Sequence, residues 1–268
     1  MDLHYEIQGN GEAIVLLHSG GADLRDWQWI VPQLQEHYQV ITFDGRGAGK
    51  SPPLLEPADY VEELRSLLDH LQIDRAILVG HSIGGQIATD FALAYPHRVI
   101  KLILIAPGLS GFQFSPEIQQ QFAQIMAAAP DAEKMTELML EQCLYRVVMS
   151  SPQRDLMIEM SRHNIRRSFE WKTFEMRWAQ PPTIDRLSEL TPETLFIIGT
   201  NDMADNLQVA ELFQQVPSIH FAYLEGADHM PTLTHADAVS QLIRQFLNRS
   251  QSVDAMLRTP AENSISRL

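Results

Sequence analysis

Short apolar runs alternate with longer segments of helical periodicity along most of this chain, and this alternation limits its possible folds more than any other feature. The runs lie at residues 13–17, 40–43, 76–79, 99–105, 195–198 and 219–224. Several are apolar at every position, as expected of parallel strands that are covered on both faces. Strand–helix alternation of this kind implies parallel strands joined by right-handed crossovers. We therefore predict an α/β fold with a doubly wound, mostly parallel sheet.

The segments between the runs predict helices at residues 27–37, 60–71, 83–95, 207–216 and 236–247. Residues 3–7 alternate apolar and polar side chains, which favours an antiparallel edge strand. Between residues 112 and 182 only helical patterns occur, and we expect this insertion to lie above the carboxyl ends of the strands as a cap. The predicted organisation is a core at residues 1–111 and 183–248, a helical cap at 112–182 and a flexible tail at 249–268.

Composition narrows the classes of partner. The formal net charge is −14, whereas nucleic acids and anionic membranes require a basic surface. Cys143 is the only cysteine, which rules out an internal disulfide and a cysteine-based zinc site. The amino terminus does not resemble a secretory signal, and no apolar run reaches the ~18 residues of a membrane helix.

We therefore expect a cytoplasmic protein that acts on a small molecule, without nucleic acid or membrane as a partner. The oligomeric state stays open. The last three residues, Ser266-Arg267-Leu268, are close to the peroxisomal address Ser-Lys-Leu and leave a second location open.

The strongest catalytic signal is the segment Gly80-His81-Ser82-Ile83-Gly84-Gly85, which follows one apolar run and opens a predicted helix. In this context Gly-x-Ser-x-Gly is the nucleophile-elbow pattern, a sharp strand-to-helix turn that leaves the serine exposed. The alternative is a glycine-rich turn with an incidental serine. We predict that Ser82 is the nucleophile and that His81 points into the core.

A serine hydroxyl is a weak nucleophile near neutral pH and needs a base within hydrogen-bonding reach. Of the ten histidines, His229 lies in the loop directly after the last run, at the same edge of the sheet as Ser82. His235, six residues later, is the second candidate. We predict that His229 is the general base.

The base in turn needs a carboxylate that accepts its other ring N–H. The loop after residues 195–198 contains Asp202 and Asp205, and either carboxylate could serve. Asp202 is nearer the strand end and is predicted to be the acid, whereas Asp205 is predicted to cap the next helix. Asp228 adjoins His229 in sequence, where neighbouring side chains diverge.

Acyl transfer also requires donors for the developing oxyanion. We predict the backbone N–H of Ile83, directly after the nucleophile, and that of Gly20 in the loop His18-Ser19-Gly20-Gly21. Residues 44–51 resemble the end of a phosphate-binding loop, but Asp44 replaces its first glycine and argues against nucleotide binding. No cofactor and no metal ion are predicted.

Together these motifs resemble the α/β-hydrolase superfamily, in its small branch with a cap. The resemblance covers residues 3–247 and rests on the loop 18–21, the segment 44–51, the elbow and the loops 199–202 and 226–229. The order Ser, Asp, His along the chain is also that of the family. Ser19 replaces the usual glycine, as in enzymes resembling enol-lactonases, and Ala48 replaces a common histidine.

The resemblance implies hydrolysis of esters, lactones or thioesters, although one fold and triad serve several other chemistries in the family. Our interpretation is a serine hydrolase that cleaves a small or medium carboxylic ester or lactone through an acyl-enzyme on Ser82. The alternatives are a C–C bond hydrolase of ring-cleavage products and a hydrolase-fold receptor for a small signalling ligand.

The predicted cap is locally basic within an acidic chain. Arg162 and Arg166 are four residues apart and would share a helix face. One hypothesis is that they bind a substrate carboxylate, since arginine binds carboxylates through two hydrogen bonds. The alternative is a solvated helix face with Glu159 and Glu170 as partners. The rest of the pocket would be lined by Met157, Met160, Phe169, Trp171 and Trp178.

Overall fold

The computed structural model describes residues 1–257, within which the chain forms seven strands in one sheet. The strands are β1 (Tyr5–Gln8), β2 (Glu12–Leu17), β3 (Tyr38–Phe43), β4 (Ala76–His81), β5 (Val99–Ile105), β6 (Thr194–Gly199) and β7 (Ile219–Leu224). Their order is β1-β3-β2-β4-β5-β6-β7. Strand β1 is antiparallel to β3 and the other pairs are parallel. The predicted α/β fold with a mostly parallel sheet is confirmed.

The same residues form nine helices. They are α1 (Val31–Leu34), α2 (Tyr60–His70), α3 (Ile83–Ala94), α4 (Pro116–Ala127), α5 (Ala132–Leu140), α6 (Arg154–Ser168), α7 (Ala204–Leu212), α8 (Pro231–Thr234) and α9 (Ala236–Leu257). The helix predicted at residues 27–37 is shortened to α1, because residues 24–27 form a separate 3₁₀ turn that Asp23 caps.

Alternate side chains of the central strands enter two apolar layers, one on each face of the sheet. In β2, Val15 and Leu17 belong to the layer that includes α2, α3 and α7. Ile14 and Leu16 belong to the layer that includes α1 and α9. Burial on both faces explains why these runs are apolar at every position. The loops after β2, β4, β6 and β7 meet at the carboxyl edge of the sheet, where such folds bind ligands.

The chain between β5 and β6 contains α4, α5 and α6. We call residues 112–182 the inserted segment; their boundaries as a separate cap domain stay a prediction. Buried Met157 and Met160 of this segment share an apolar cluster with Met203 and Met230, which lie in the loops after β6 and β7. The inserted segment therefore packs over the carboxyl edge of the sheet.

The sequence predicted a flexible tail from residue 249, but α9 continues through Leu257. No Gly or Pro interrupts residues 248–257, and extending an existing helix is far easier than starting one. The remainder of the predicted tail, including Ser266-Arg267-Leu268, lies outside the described residues. None of the helices within residues 1–257 combines the length and apolar character that crossing a bilayer requires.

Candidate active site

Ser82 occupies a strained turn between β4 and α3. Its φ of 53° and ψ of −118° lie where residues other than glycine are rare. A Cβ atom on Gly84 would lie 2.2 Å from the carbonyl oxygen of Leu17, so only glycine allows the helix to approach the end of β2 so closely. The structure thus has the sharp strand-to-helix turn that the sequence predicted at Ser82.

The loop after β7 brings His229 to this serine. His229 Nε2 lies 3.0 Å from Ser82 Oγ, and the backbone N–H of His229 donates to the carbonyl oxygen of Leu144 at 3.2 Å. His235, the second candidate, instead has its Nδ1 2.9 Å from Thr234 Oγ1. Of the two histidines considered as bases, His229 is therefore the one in hydrogen-bonding contact with Ser82.

Asp202 lies buried behind His229. Its Oδ2 is 3.0 Å from His229 Nδ1, and its Oδ1 accepts hydrogen bonds of 2.8 Å from the Met203 N–H and from Asn206 Nδ2. Burial would raise the pKa of the Asp202 carboxyl, but the charge of His229 and these hydrogen bonds outweigh burial and lower that pKa. Asp202 is therefore an ionised acceptor for the ring N–H of His229.

Asn206 is a member of this group that the sequence analysis missed. Asn206 is buried on α7, and its Nδ2 lies 2.8 Å from Asp202 Oδ1 and 3.0 Å from His229 Nδ1. An amide nitrogen only donates, and the proton on His229 Nδ1 is needed for the bond to Asp202, so Asn206 acts as a donor to Asp202. Its spacing of four residues from Asp202, close to one helical turn, is the signal that could have found it.

The two other candidate carboxylates bind the inserted segment. Asp205 accepts hydrogen bonds from the Ser115 N–H at 2.6 Å and the Ser115 hydroxyl at 3.1 Å, at the start of α4. Asp205 is thus not the predicted cap of α7, whose N-cap residue is Met203. Asp228 Oδ2 accepts hydrogen bonds from the N–H groups of Val147 and Val148 at 2.7 and 3.1 Å.

The two predicted oxyanion donors lie close together. A Cβ atom on Gly20 would lie 3.8 Å from Ile83 Cγ2, so the loop after β2 contacts the first residue of α3. Within residues 1–257, no protein acceptor takes the N–H of Gly20 or of Ile83. Both N–H groups thus lack a protein acceptor, and their role as oxyanion donors stays a prediction.

A cavity of about 300 Å³ opens beside Gly20 and Ile83. Among its described lining residues Arg46 is the single Arg or Lys, and its guanidinium pairs with Glu63 and lies 2.9 Å from Asp2. The walls are otherwise mainly apolar. The inserted segment contributes Ile125, Met126, Met135, Met139, Asn164, Ile165, Ser168, Trp171, Phe174 and Met176, of which the sequence predicted Trp171.

Arg162 and Arg166 do not line this cavity, which corrects the hypothesis that they bind a substrate carboxylate. Both bind Glu133 of α5, with 2.8 Å from Arg162 Nε and 2.7 Å from Arg166 Nη2 to its carboxylate oxygens. An acidic side chain between the two like charges removes their repulsion. The alternative prediction, that Glu159 and Glu170 are the partners of these arginines, is also wrong. Glu159 pairs with Arg25, and Glu170 pairs with Arg167.

His81 is fully buried, as the sequence predicted. Its ring contacts Asp26, a residue that the sequence analysis did not single out. No three His, Cys, Asp or Glu side chains within the described residues lie close enough to hold a metal ion. That the site works without a metal ion or a cofactor stays a prediction.

Comparison with known proteins adds to this geometry. Residues 12–236 match the family model for the alpha/beta hydrolase fold. The chain is 30% identical over 267 residues to 2-hydroxy-6-oxo-6-phenylhexa-2,4-dienoate hydrolase of Burkholderia cepacia, with 91% of both chains covered. The crystal structure of the enol-lactonase from Burkholderia xenovorans LB400 is 25% identical with a TM-score of 0.72, over 92% of this chain and 96% of that one.

A hydrolase from Pseudomonas aeruginosa PA01 has the same fold, with 24% identity and a TM-score of 0.76 over 91% of this chain and 94% of that one. Family model, relatives and sheet order agree. This protein is therefore a hydrolase, and it belongs to the α/β-hydrolase family.

Proposed function

We propose that this protein is a serine hydrolase that cleaves a small or medium carboxylic ester or lactone through an acyl-enzyme on Ser82. The observation that supports this most directly is the chain of contacts from Asp202 through His229 to Ser82, with 3.0 Å at each step. In this proposal His229 is the general base, and Asp202 holds its ring in the tautomer whose Nε2 can take a proton.

The proposed reaction uses these groups twice. Ser82 Oγ attacks the carbonyl carbon while its proton passes to His229 Nε2, and the N–H groups of Ile83 and Gly20 stabilise the negative carbonyl oxygen. The C–O bond then breaks, and His229 gives the proton to the leaving oxygen. Water attacks the acyl-enzyme with His229 again as base, which releases the acid and restores the Ser82 hydroxyl. A lactone yields one hydroxy acid, because its leaving oxygen stays attached to the acyl group.

The cavity supports a substrate with an apolar group of modest size. Its volume of about 300 Å³ lies at the lower end of the range for small-molecule sites, and burial of apolar surface favours binding. Met126, Met135 and Met139 line one wall. Methionine side chains adapt to irregular shapes, so we expect tolerance among apolar groups of similar size.

A C–C bond hydrolase is the second candidate, and the 30% identity to the Burkholderia cepacia hydrolase over 91% of both chains favours it. The substrate in that protein's name is a dienoate, which carries a carboxylate. Arg46, the arginine at the cavity, is already paired with Glu63 and Asp2. The described lining residues thus offer a substrate carboxylate no unpaired arginine or lysine, which favours an uncharged ester or lactone.

Three measurements on wild type and Ser82→Ala test the proposal. Wild type is expected to turn over neutral aryl esters many times, to react faster with them than with a carboxylate-bearing dienoate, and to be labelled by a fluorophosphonate. Ser82→Ala should lose turnover and labelling, because removal of a triad member typically costs orders of magnitude in rate.

Each alternative gives a different result. Preference for the dienoate favours the C–C hydrolase, whereas one slow turnover with a shift in thermal stability favours a receptor. Labelling that persists in Ser82→Ala would contradict the assignment of the nucleophile.

A further inference from the structure

A second histidine–aspartate pair lies beneath the first. His81, directly before Ser82, and Asp26, in the 3₁₀ turn after the β2 loop, are both fully buried. His81 Nδ1 lies 2.8 Å from Asp26 Oδ2, and His81 Nε2 lies 2.7 Å from the backbone carbonyl oxygen of His229. The proposed reaction does not use this pair, although its ring contacts the loop that carries the base.

The contacts of the His81 ring define its charge. A carbonyl oxygen only accepts hydrogen bonds, so Nε2 must carry a proton. Nδ1 faces a carboxylate oxygen that also accepts the Ser19 N–H at 3.0 Å, and two unprotonated atoms there would set lone pairs against each other, so a proton lies between them. If His81 holds that proton, both of its nitrogens are protonated, and His81 is an imidazolium with Asp26 as its carboxylate partner.

The electrostatic environment agrees with this ion pair. Burial alone would lower the pKa of the His81 imidazole, but the Asp26 carboxylate outweighs burial and raises that pKa. Burial alone would raise the pKa of the Asp26 carboxyl, but the charge and hydrogen bonds of its neighbours lower it. Each partner thus stabilises the charged form of the other.

Asp26 connects the pair to the loop that supplies an oxyanion donor. Asp26 Oδ2 accepts the N–H of Ser19, the residue before Gly20. Asp26 Oδ1 accepts the Thr232 hydroxyl at 2.6 Å, in α8 directly after the loop of the base. Through His81 the same group reaches the carbonyl oxygen of His229. One buried ion pair therefore joins the oxyanion loop, the elbow and the loop of the base.

We propose that the His81–Asp26 ion pair is a positioning device that holds the Gly20 donor and the His229 base in register with Ser82. This inference rests on the proposed function of Ser82, His229 and Gly20. A displacement of about 1 Å between reacting groups can lower a rate about 100-fold. The pair acts on kcat more than on KM, because neither His81 nor Asp26 lines the apolar cavity.

Asp26→Asn tests this role, because an amide cannot replace both hydrogen bonds of Asp26 Oδ2, to the Ser19 N–H and to the protonated His81 Nδ1. With its oxygen at that position, Ser19 keeps its bond but the second proton of His81 loses its counter-charge. With its nitrogen there, a neutral His81 keeps the bond to His229, but the Ser19 N–H faces another donor. In either arrangement one loop loses its anchor.

We expect Asp26→Asn to lower kcat per active site about 10- to 100-fold while KM changes by about twofold or less. Active sites are counted by the stoichiometry of fluorophosphonate labelling, so an unfolded fraction does not contribute. The matched control is Asp90→Asn on α3, since Asp90 is also a buried carboxylate, bonded to the Thr183 hydroxyl. The control variant should keep the wild-type kcat.

A second measurement does not depend on a variant that folds. In ¹⁵N-histidine-labelled wild type, assigned through coupling to the His81 backbone, both ring nitrogens of His81 should show the shifts of protonated nitrogen at the pH of the assay. A neutral His81, or a wild-type kcat per site in Asp26→Asn, would overturn the positioning role. A wild type that neither labels nor turns over would instead contradict the proposed function.

Discussion

The two histidine–aspartate pairs share one contact and differ in the other. In both, Nδ1 lies within 3.0 Å of an aspartate oxygen. Nε2 of His229 meets the Ser82 hydroxyl, which can lose a proton, whereas Nε2 of His81 meets a carbonyl oxygen, which cannot. His229 is 8% exposed, and His81 is not exposed at all. The same two residue types are therefore suited to proton transfer in the His229–Asp202 pair and to anchoring in the His81–Asp26 pair.

The largest predicted effect separates the two aspartates. Asp202→Asn should lower kcat by about 10⁴, because an amide favours the histidine tautomer whose Nε2 already carries a proton. Asp26→Asn should cost at most about 100-fold, because its effect reaches the reacting atoms only through position. Rates of both variants on one aryl ester, per labelled site, check the comparison. Equal losses would remove the distinction between the two pairs.

A smaller effect is expected from the donor to Asp202. Asn206→Leu removes one of the two hydrogen bonds on Asp202 Oδ1 and keeps the branched shape of the side chain. Since a hydrogen bond to a charged group contributes roughly 1.5 kcal/mol or more, we expect kcat to fall about tenfold. Gln208→Leu, at an exposed position of the same helix, is the control. A wild-type rate in Asn206→Leu would show that the Met203 N–H alone holds the carboxylate.

Asp90 is a third buried aspartate with which the two pairs can be compared. Its carboxylate accepts a hydrogen bond from the hydroxyl of Thr183 and, within the described residues, does not contact an imidazolium. Burial raises its pKa to about 6. A carboxyl whose pKa is higher in the folded state loses stability as pH rises from its unfolded pKa of about 4 through that value. Asp90→Asn should therefore raise the free energy of unfolding by roughly 1–3 kcal/mol at pH 8 and change it little at pH 4. Urea unfolding at both pH values measures this, and destabilisation at pH 8 would contradict it.

The smallest effects are expected at the surface ion pairs of the inserted segment. Arg162→Gln and Arg166→Gln each break a contact with Glu133 that is partly open to solvent. Such pairs contribute about 0.5 kcal/mol or less to stability. KM for matched neutral and carboxylate-bearing esters should change equally in both variants. A selective rise for the anionic ester would restore the hypothesis that these arginines bind substrate.

The sequence predicted those parts of the site that depend on strand ends. Ser82, Asp202 and His229 each follow a parallel strand of the same sheet. The carboxyl ends of such strands lie at one edge of the sheet, independently of the lengths and sequences of the loops. Contacts between distant segments were not predictable in the same way. Asp26 and His81 are in contact although 55 residues separate them in the sequence. The hydrophobic periodicity of a sequence does not indicate such a contact.

In the inserted segment, too, the sequence predicts local structure but not the contacts between helices. Its helical character is visible in the sequence because it depends on local spacing. The partner of Arg162 and Arg166 depends on how α5 packs against α6, and Glu133 of α5 is therefore found only in the folded chain. Helix α9 exceeds its predicted end because polar residues without Gly or Pro do not stop a helix.

The loop of the base is bonded directly to residues 144–148 of the inserted segment. The His229 N–H donates to Leu144, and Asp228 accepts hydrogen bonds from Val147 and Val148. Any displacement of residues 144–148 would therefore also pull on His229, the proposed base. The α4–α5 hairpin, which carries Met126, Met135 and Met139 of the cavity wall, takes no part in these bonds. The helices that carry this cavity wall and the stretch that holds the loop of the base are thus different parts of the same inserted segment.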